Sequence, residues 1–515
     1  MLSPRGRAGC AAALAVLTSA SLITGCTTRA GAATGERGPA RSERQTLAWH
    51  RCTDGPEDAE GTALDRAGAR CAEATVPLDH RRPEGRTLTV ALARLPATDP
   101  AHRHGTLFYN PGGPGVPVRA LALQLREAEP ELAARYDVIG MDPRFVGRSS
   151  PLDCGWPSVS IGSAGPGRAG FERTVARARD LAARCADHRA ELPHVSTRDT
   201  ARDMDVIRAA LGERRISYLG SSYGTYLGQV YTQLFPDRTD RVVLDSTLDA
   251  DTYGPDQTAA LGPAVTRALR NWAAWAARRD STYGLGSTAD EVMESVGELD
   301  RAVARAPVRL GAHTVDSGNL PQLLWNVTAG DSDETYAGYA ADVRVLLRAA
   351  RGDGAEPTPS LEQALTGLAA PDTDGSFAVQ TASQCADRAA ASRDPETYYR
   401  DIQAHRADDP LFGPLTRTVT PCTFWPAAPA EPPTAVGNDV PLLMVGDTGD
   451  PAAVYQGQLA AHRALRGSRL VTLRGAFRHT VYGGLFAPRN ACVERVVNAY
   501  LTTGVLPSRD STCRN

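Results

Sequence analysis

Lysine is absent from this sequence, and all 56 basic residues are arginine. No Schiff-base or catalytic lysine can operate here. Charge of one sign is also scarce, because 59 acidic residues leave a formal net charge of only −3. That balance excludes a surface built to cover nucleic-acid phosphates, and no nucleic-acid partner is expected. Mean hydropathy is −0.29, which leaves no room for a polytopic membrane protein. What is plentiful is glycine and proline, 48 and 36 residues in an alanine-rich background, a bias without mechanistic content. A chain of 515 residues that is 42% hydrophobic and 22% charged is too long for one ordinary domain and too balanced for a disordered one.

The N-terminus sets the expected compartment. Arg5 and Arg7 precede an apolar stretch from Ala8 to Leu22, which is shorter than the ~20 residues a spanning helix needs. It ends Leu22-Ile23-Thr24-Gly25-Cys26, the pattern of a bacterial lipobox. Residues 1–25 are therefore read as a signal peptide and Cys26 as the lipidated first residue of an exported protein. The alternative is an ordinary signal peptide with an incidental cysteine. Residues 26–48 are mostly Gly, Ala, Arg and Ser and read as a flexible tether. The membrane is then engaged only through the anchor, on the extracellular face.

Cysteine parity agrees with export. With Cys10 removed and Cys26 acylated, eight of the ten remain. An even number in an exported chain implies disulfides. They fall into four local couples, which predicts Cys52–Cys71, Cys154–Cys185, Cys385–Cys422 and Cys492–Cys513. No couple has C-x-x-C spacing or a histidine at ligand spacing, so no metal is expected, and nothing in the sequence calls for a cofactor.

From Cys71 onward, short β-branched runs alternate with helical patterns. Strands are predicted at 74–78, 87–95, 105–110, 136–141, 216–219, 241–244, 441–445 and 469–473. A helix with apolar Met204, Ile207 and Leu211 is opened by the Ser196…Asp199 capping pattern and stopped by Gly212. Such alternation predicts an α/β protein, a mostly parallel sheet with helices on both faces. From about 248 to 435 the pattern is helical instead, which predicts a large lid inserted between two strands of one sheet. The sheet-bearing core would then span 49–247 and 436–515. The sequon at Asn326 reads as chance.

One G-x-S-x-G occurs, Gly220-Ser221-Ser222-Tyr223-Gly224. It follows a predicted strand and opens a helix with Leu227, Val230, Tyr231 and Leu234 on one face. A nucleophile elbow of the α/β-hydrolase fold needs that strand–turn–helix context. Ser222 is the predicted nucleophile. A serine requires a base, an acid that orients it and donors for the oxyanion. Of the ten histidines, His479 alone follows the last predicted strand in a loop, whereas His462 sits inside a helical pattern. The acid should follow strand 441–445, where both Asp447 and Asp450 stand. Asn110-Pro-Gly-Gly-Pro-Gly115 leaves a buried strand as an oxyanion loop does, so the N–H groups of Gly113 and Tyr223 are the expected donors.

Several separated blocks carry a family resemblance: Thr197-Arg-Asp-Thr-Ala-Arg-Asp203, Ser217 to Gly228, Phe235-Pro-Asp-Arg238, Val243-Leu-Asp245, Asn110 to Gly115, Asp142-Pro-Arg144 with Gly147 and Ser149, and the tail from Asn490 to Cys513. Together they resemble the secreted tripeptidyl aminopeptidases, α/β-hydrolase serine exopeptidases related to proline iminopeptidases, with their TAP-like C-terminal region. The resemblance covers nearly the whole mature chain. It implies a catalytic triad of Ser222, Asp450 and His479, and so prefers Asp450 to Asp447. Three positions depart from the family pattern. Val116-Pro117 follow the oxyanion loop, Ala452-Ala453-Val454 replace a Thr-Pro, and Phe477-Arg478 replace a small glycine-rich step before His479.

An aminopeptidase must also hold a free α-amino group, for which a carboxylate in a low-dielectric cleft is the economical solution. Asp387 and Asp245 are the sequence candidates. The leading expectation is a serine exopeptidase acting on peptides. An esterase or other small-acyl hydrolase with the same triad is one alternative, and a non-catalytic lipid-tethered binding protein is another.

Overall fold

The computed structural model describes residues 44–484 and 488–515. The expected signal peptide and Cys26 lie outside the described residues, as does most of the expected tether. Where the described chain begins, it is already docked. Leu47 is buried in the core, and the Gln45 side chain exchanges two hydrogen bonds with the Thr75 backbone, at 2.8 and 2.9 Å. The tether expectation therefore runs too far at its C-terminal end. Leu47 supplies apolar burial and the Gln45 amide imitates a strand partner along Thr75.

Among the described residues eleven strands form: β1 Arg70–Pro77, β2 Thr87–Leu95, β3 Gly105–Asn110, β4 Tyr136–Met141, β5 Ile216–Ser221, β6 Thr239–Asp245, β7 Val308–Leu310, β8 His313–Val315, β9 Leu442–Asp447, β10 Ser468–Arg474 and β11 Ser511–Arg514. Nine of them make one sheet in the order β1-β2-β4-β3-β5-β6-β9-β10-β11. The pairings β1–β2 and β2–β4 are antiparallel and the remainder parallel.

Successive side chains of a strand point to opposite faces, and the central strands feed two separate cores. Phe108, Ile139, Tyr218, Val242, Leu244 and Met444 face one. Leu107, Tyr109, Val138, Leu219, Val243 and Val445 face the other. Helices Thr197–Ala210 and Tyr223–Leu234 cover the first face through Met204, Ile207, Leu227 and Val230. Helices Arg119–Ala128 and Ala491–Thr503 cover the second through Leu125, Val493 and Val497. With both faces covered, the parallel strands are apolar without alternation, as the sequence shows.

Between β6 and β9, which pair with each other, the chain runs through a helical insertion. It carries its own core, built by helices Gly262–Ala277, Ala289–Arg305 and Asp333–Ala350. Trp272 and Tyr339 meet edge-on there at 4.7 Å. Two features were not expected. The insertion contains the β7–β8 hairpin. A second segment, between β4 and the helix Thr197–Ala210, joins it, because Phe171 and Ala178 of helix Arg168–Arg184 pack with Tyr398, Ile402 and Val419 of the insertion.

All four expected disulfides are present, Cys52–Cys71, Cys154–Cys185, Cys385–Cys422 and Cys492–Cys513. Four structural disulfides belong to an oxidising compartment, so the chain is an exported one. No group of side chains among the described residues could hold a metal ion, and no helix among them is long and apolar enough to cross a membrane.

Candidate active site

Strand β5 delivers Ser222 at its C-terminal end, and the helix Tyr223–Leu234 begins at the next residue. The turn between them holds Ser222 at φ 55° and ψ −125°, a conformation a non-glycine residue adopts only under constraint. The constraint comes from close packing. A Cβ on Gly220 would lie 2.4 Å from the Gly224 carbonyl oxygen, and one on Gly224 would lie 2.1 Å from that of Asn110. Both glycines of the motif are thus demanded by backbone approaching backbone. The Ser222 N–H donates to the Asp245 carbonyl at 3.0 Å, and its own carbonyl accepts from the Thr225 N–H at 2.9 Å.

The loop after β3 lies against this serine. Gly112 has φ 122°, and a Cβ there would come within 2.9 Å of the Ser222 Cβ. The Gly112 N–H is held by the Asn110 side chain at 3.0 Å. Gln380, from helix Ser376–Asp387 of the insertion, donates to the Gly113 carbonyl at 3.2 Å. Tyr223 is the first residue of its helix, so its N–H has no intrahelical acceptor. The structure therefore places both expected oxyanion donors, Gly113 and Tyr223, on segments that adjoin Ser222.

His479 follows β10 in a loop, and its Nδ1 lies 3.0 and 3.1 Å from the two carboxylate oxygens of Asp450. Asp450 is 1% exposed. Its Oδ1 also accepts the N–H groups of Ala452 and Ala453, each at 2.8 Å. Gln458, fully buried behind it, donates to the Ala453 carbonyl at 2.7 Å and closes the turn. Asp447 does not reach the histidine. It accepts from the Gly449 N–H at 2.7 Å, and burial, then the charge of Asp450, pushes its carboxyl up to about 9. Geometry thus pairs His479 with Asp450, the choice the resemblance made where spacing alone could not.

Asp245 has a different task from the one expected. Its carboxylate accepts the N–H groups of Val481 and Tyr482, and the neighbouring Ser246 hydroxyl accepts that of Thr480. It holds the chain just beyond His479 rather than facing a ligand. Burial raises its carboxyl to about 7, against the opposing effect of those backbone donors. Asp387 is likewise engaged. It accepts the Thr197 N–H at 2.8 Å and the Thr197 hydroxyl at 2.5 Å, and that hydroxyl is 2.9 Å from the Tyr223 hydroxyl. A buried carboxylate takes whatever donors its own fold offers, and single-sequence reading cannot anticipate contacts 190 residues apart. Arg144, one of the resemblance residues, is also structural. It is 1% exposed and grips Asp203 through two nitrogens, while also donating to the carbonyls of Leu78 and His194.

Burial disfavours the charged imidazole of His479, yet the Asp450 carboxylate outweighs it, with Asp245 adding to the effect, and the histidine is raised above its ordinary 6.5. A base must be neutral to accept a proton. The acid limb of the kcat/KM profile is therefore expected above pH 6.5, with activity lost as pH falls through it. A rate profile between pH 5 and 9 checks this.

A helical insertion that touches the oxyanion loop, an elbow serine and a carboxylate-paired histidine after the last two long strands make a hydrolase arrangement. Comparison with known proteins agrees. Residues 105–288 match the family model of the alpha/beta hydrolase fold, and residues 409–513 match that of the TAP-like protein. A tripeptidyl aminopeptidase of Streptomyces coelicolor is 34% identical over 86% of this chain and 83% of its own. The serine protease Hip1 of Mycobacterium tuberculosis is 29% identical over 87% of each chain. A carboxylesterase B of the same species is 29% identical over 95% and 94%. The chain belongs to the tripeptidyl aminopeptidase family of α/β-hydrolase-fold serine hydrolases.

Proposed function

We propose that this protein is a serine exopeptidase that releases short peptides from free N-termini through an acyl-enzyme. The observations that support the reading are the His479–Asp450 pair and the elbow serine Ser222, in a chain 34% identical to a tripeptidyl aminopeptidase. Ser222 Oγ attacks the scissile carbonyl while the His479 Nε2 takes its proton. Asp450, bonded to Nδ1, fixes the tautomer and balances the imidazolium. The Gly113 and Tyr223 N–H groups receive the oxyanion. His479 then protonates the leaving amine, and water repeats the sequence in reverse to free the enzyme. The insertion would roof the cleft and measure the distance from the amine.

The same proposal extends to location. Residues 1–25 would direct export and Cys26 would carry the lipid that holds the enzyme on the outer face of the membrane.

A second reading, small-ester hydrolysis by the same triad, is favoured by the carboxylesterase relative. The two separate on one comparison, a tripeptidyl p-nitroanilide against its N-acetylated form. The exopeptidase reading expects kcat/KM to fall at least about 100-fold on acetylation, the size of a lost charge-assisted contact in a desolvated site. Equal turnover of the two would remove amine recognition and leave the esterase reading.

A further inference from the structure

Phe477-Arg478, the two residues before His479, are one of the three departures read in the sequence, and the structure shows what they engage. Phe477 packs against the core of the insertion. Its ring also lies on Gly449, where a Cβ would come within 2.6 Å of the ring. Thus Phe477 sits between the insertion and the turn that carries Asp450. The Phe477 N–H donates to Asp331 Oδ2 at 2.8 Å. Arg478 Nε stands 2.8 Å from Asp331 Oδ1, an ion pair without hydrogen-bond alignment, with the two side chains 5% and 3% exposed. Arg478 also donates to the Pro488 carbonyl at 2.9 Å and to the Asn515 side chain, whose amide in turn donates to Asp331 at 3.3 Å.

Asp331 belongs to the insertion, between the turn at 326–329 and helix Asp333–Ala350. Asp245 and Ser246 at the end of β6 and Asp450 in the turn after β9 hold His479 and the residues beyond it from the sheet, while Pro488 and Asn515 hold Arg478 from the C-terminal region. Asp331 grips the loop from the opposite side, immediately upstream of the histidine. A buried carboxylate that faces one arginine and one backbone N–H has little freedom to drift, since breaking the pair would strand a charge.

We propose that Asp331, acting through Phe477 and Arg478, is a positioning residue for His479, so that the inserted domain and not the sheet alone sets the catalytic base on Asp450. This inference rests on the triad reading above. Glycine-rich small residues would leave the approach to the histidine free to move. Phe477-Arg478 exchange that freedom for a fixed attachment to the insertion.

The test uses the full mature chain with two substrates, a tripeptidyl p-nitroanilide and p-nitrophenyl acetate, because His479 serves both. Asp331→Ala is expected to lower kcat on the peptide about 30-fold or more with KM within twofold, and to lower kcat/KM on the acetate by a like factor. A displacement of order 1 Å at a catalytic group has effects of this size. Asp331→Asn keeps an acceptor for the Phe477 N–H but leaves the Arg478 charge unpaired, so its loss is expected to be smaller than that of Asp331→Ala without reaching wild type. Where Asp331→Ala fails to give a cooperative thermal transition, the pair Asp331→Asn and Arg478→Gln decides. The double variant should be faster than Arg478→Gln alone, because the unpaired buried charge is removed with its partner.

The inference is overturned by kcat within twofold of wild type in folded Asp331→Ala, by a loss carried in KM, or by strict additivity of the Asn and Gln variants. Ser222→Ala in the same assays reports on the triad itself. Its loss of both activities, with Asp331→Ala unaffected, would reject the positioning role and leave the triad standing.

Discussion

Ser222→Ala is expected to lower kcat by on the order of 10⁵ to 10⁶ while leaving KM within a few-fold. The argument starts from the elbow. Ser222 is forced to φ 55° by glycines that cannot be replaced, and alanine at that position inherits the same backbone cost as serine. The fold should therefore persist and the melting temperature change little. What disappears is the Ser222 hydroxyl, which lies against Gly112 of the loop at 110–115 at the start of helix Tyr223–Leu234. The oxyanion donors and the substrate contacts remain, which is why some rate above the uncatalysed reaction would survive. Kinetics on a tripeptidyl p-nitroanilide beside a thermal melt checks both halves.

Asp450→Asn carries the second large effect, a fall in kcat on the order of 10⁴. Asp450 Oδ1 accepts two backbone N–H groups as well as facing His479. An asparagine would keep its carbonyl on those N–H groups and turn its amide toward the histidine. The imidazole Nδ1 would then have to accept, leaving the proton on Nε2, where the nucleophile needs a base. The variant also removes the largest influence that raises His479, so its residual acid limb should lie at lower pH than that of the wild type. Asp447→Asn is the informative control. That residue bonds the Gly449 N–H and not His479, so any loss it causes should be far smaller.

Much of this site was legible in the sequence because its parts are local. The elbow is a strand, a turn and a helix within about twenty residues, and the Ser196 cap and Gly212 stop fall where the pattern puts them, with the helix at Thr197–Ala210. The disulfides could be paired because each couple is near in the chain, separated by 19 to 37 residues. Strands β2, β3 and β4 occupy the expected spans because their apolar runs are flanked by breakers.

What escaped depends on distant partners. β1 begins at Arg70, four residues before its β-branched run, since pairing with β2 extends it through Cys71 and Glu73. β11, Ser511–Arg514, has little strand character and exists as a strand by lying beside β10. The helix Arg168–Arg184 reads as part of the core in sequence order, but only Leu181 and Ala182 join the core on the sheet, while Phe171 and Ala178 pack with the insertion. Asp245, Asp387 and Asp331 differ only in which donors the fold brings to them. No spacing rule distinguishes a carboxylate that waits for a ligand from one that holds a loop.

The account stands most directly on active-site titration of the mature protein with a fluorophosphonate, followed by peptide mapping. It expects one phosphonyl group per chain, located on Ser222, with peptidase activity lost in proportion to its incorporation. Full activity in protein that carries the adduct, or an adduct on another serine with Ser222 untouched, would contradict it.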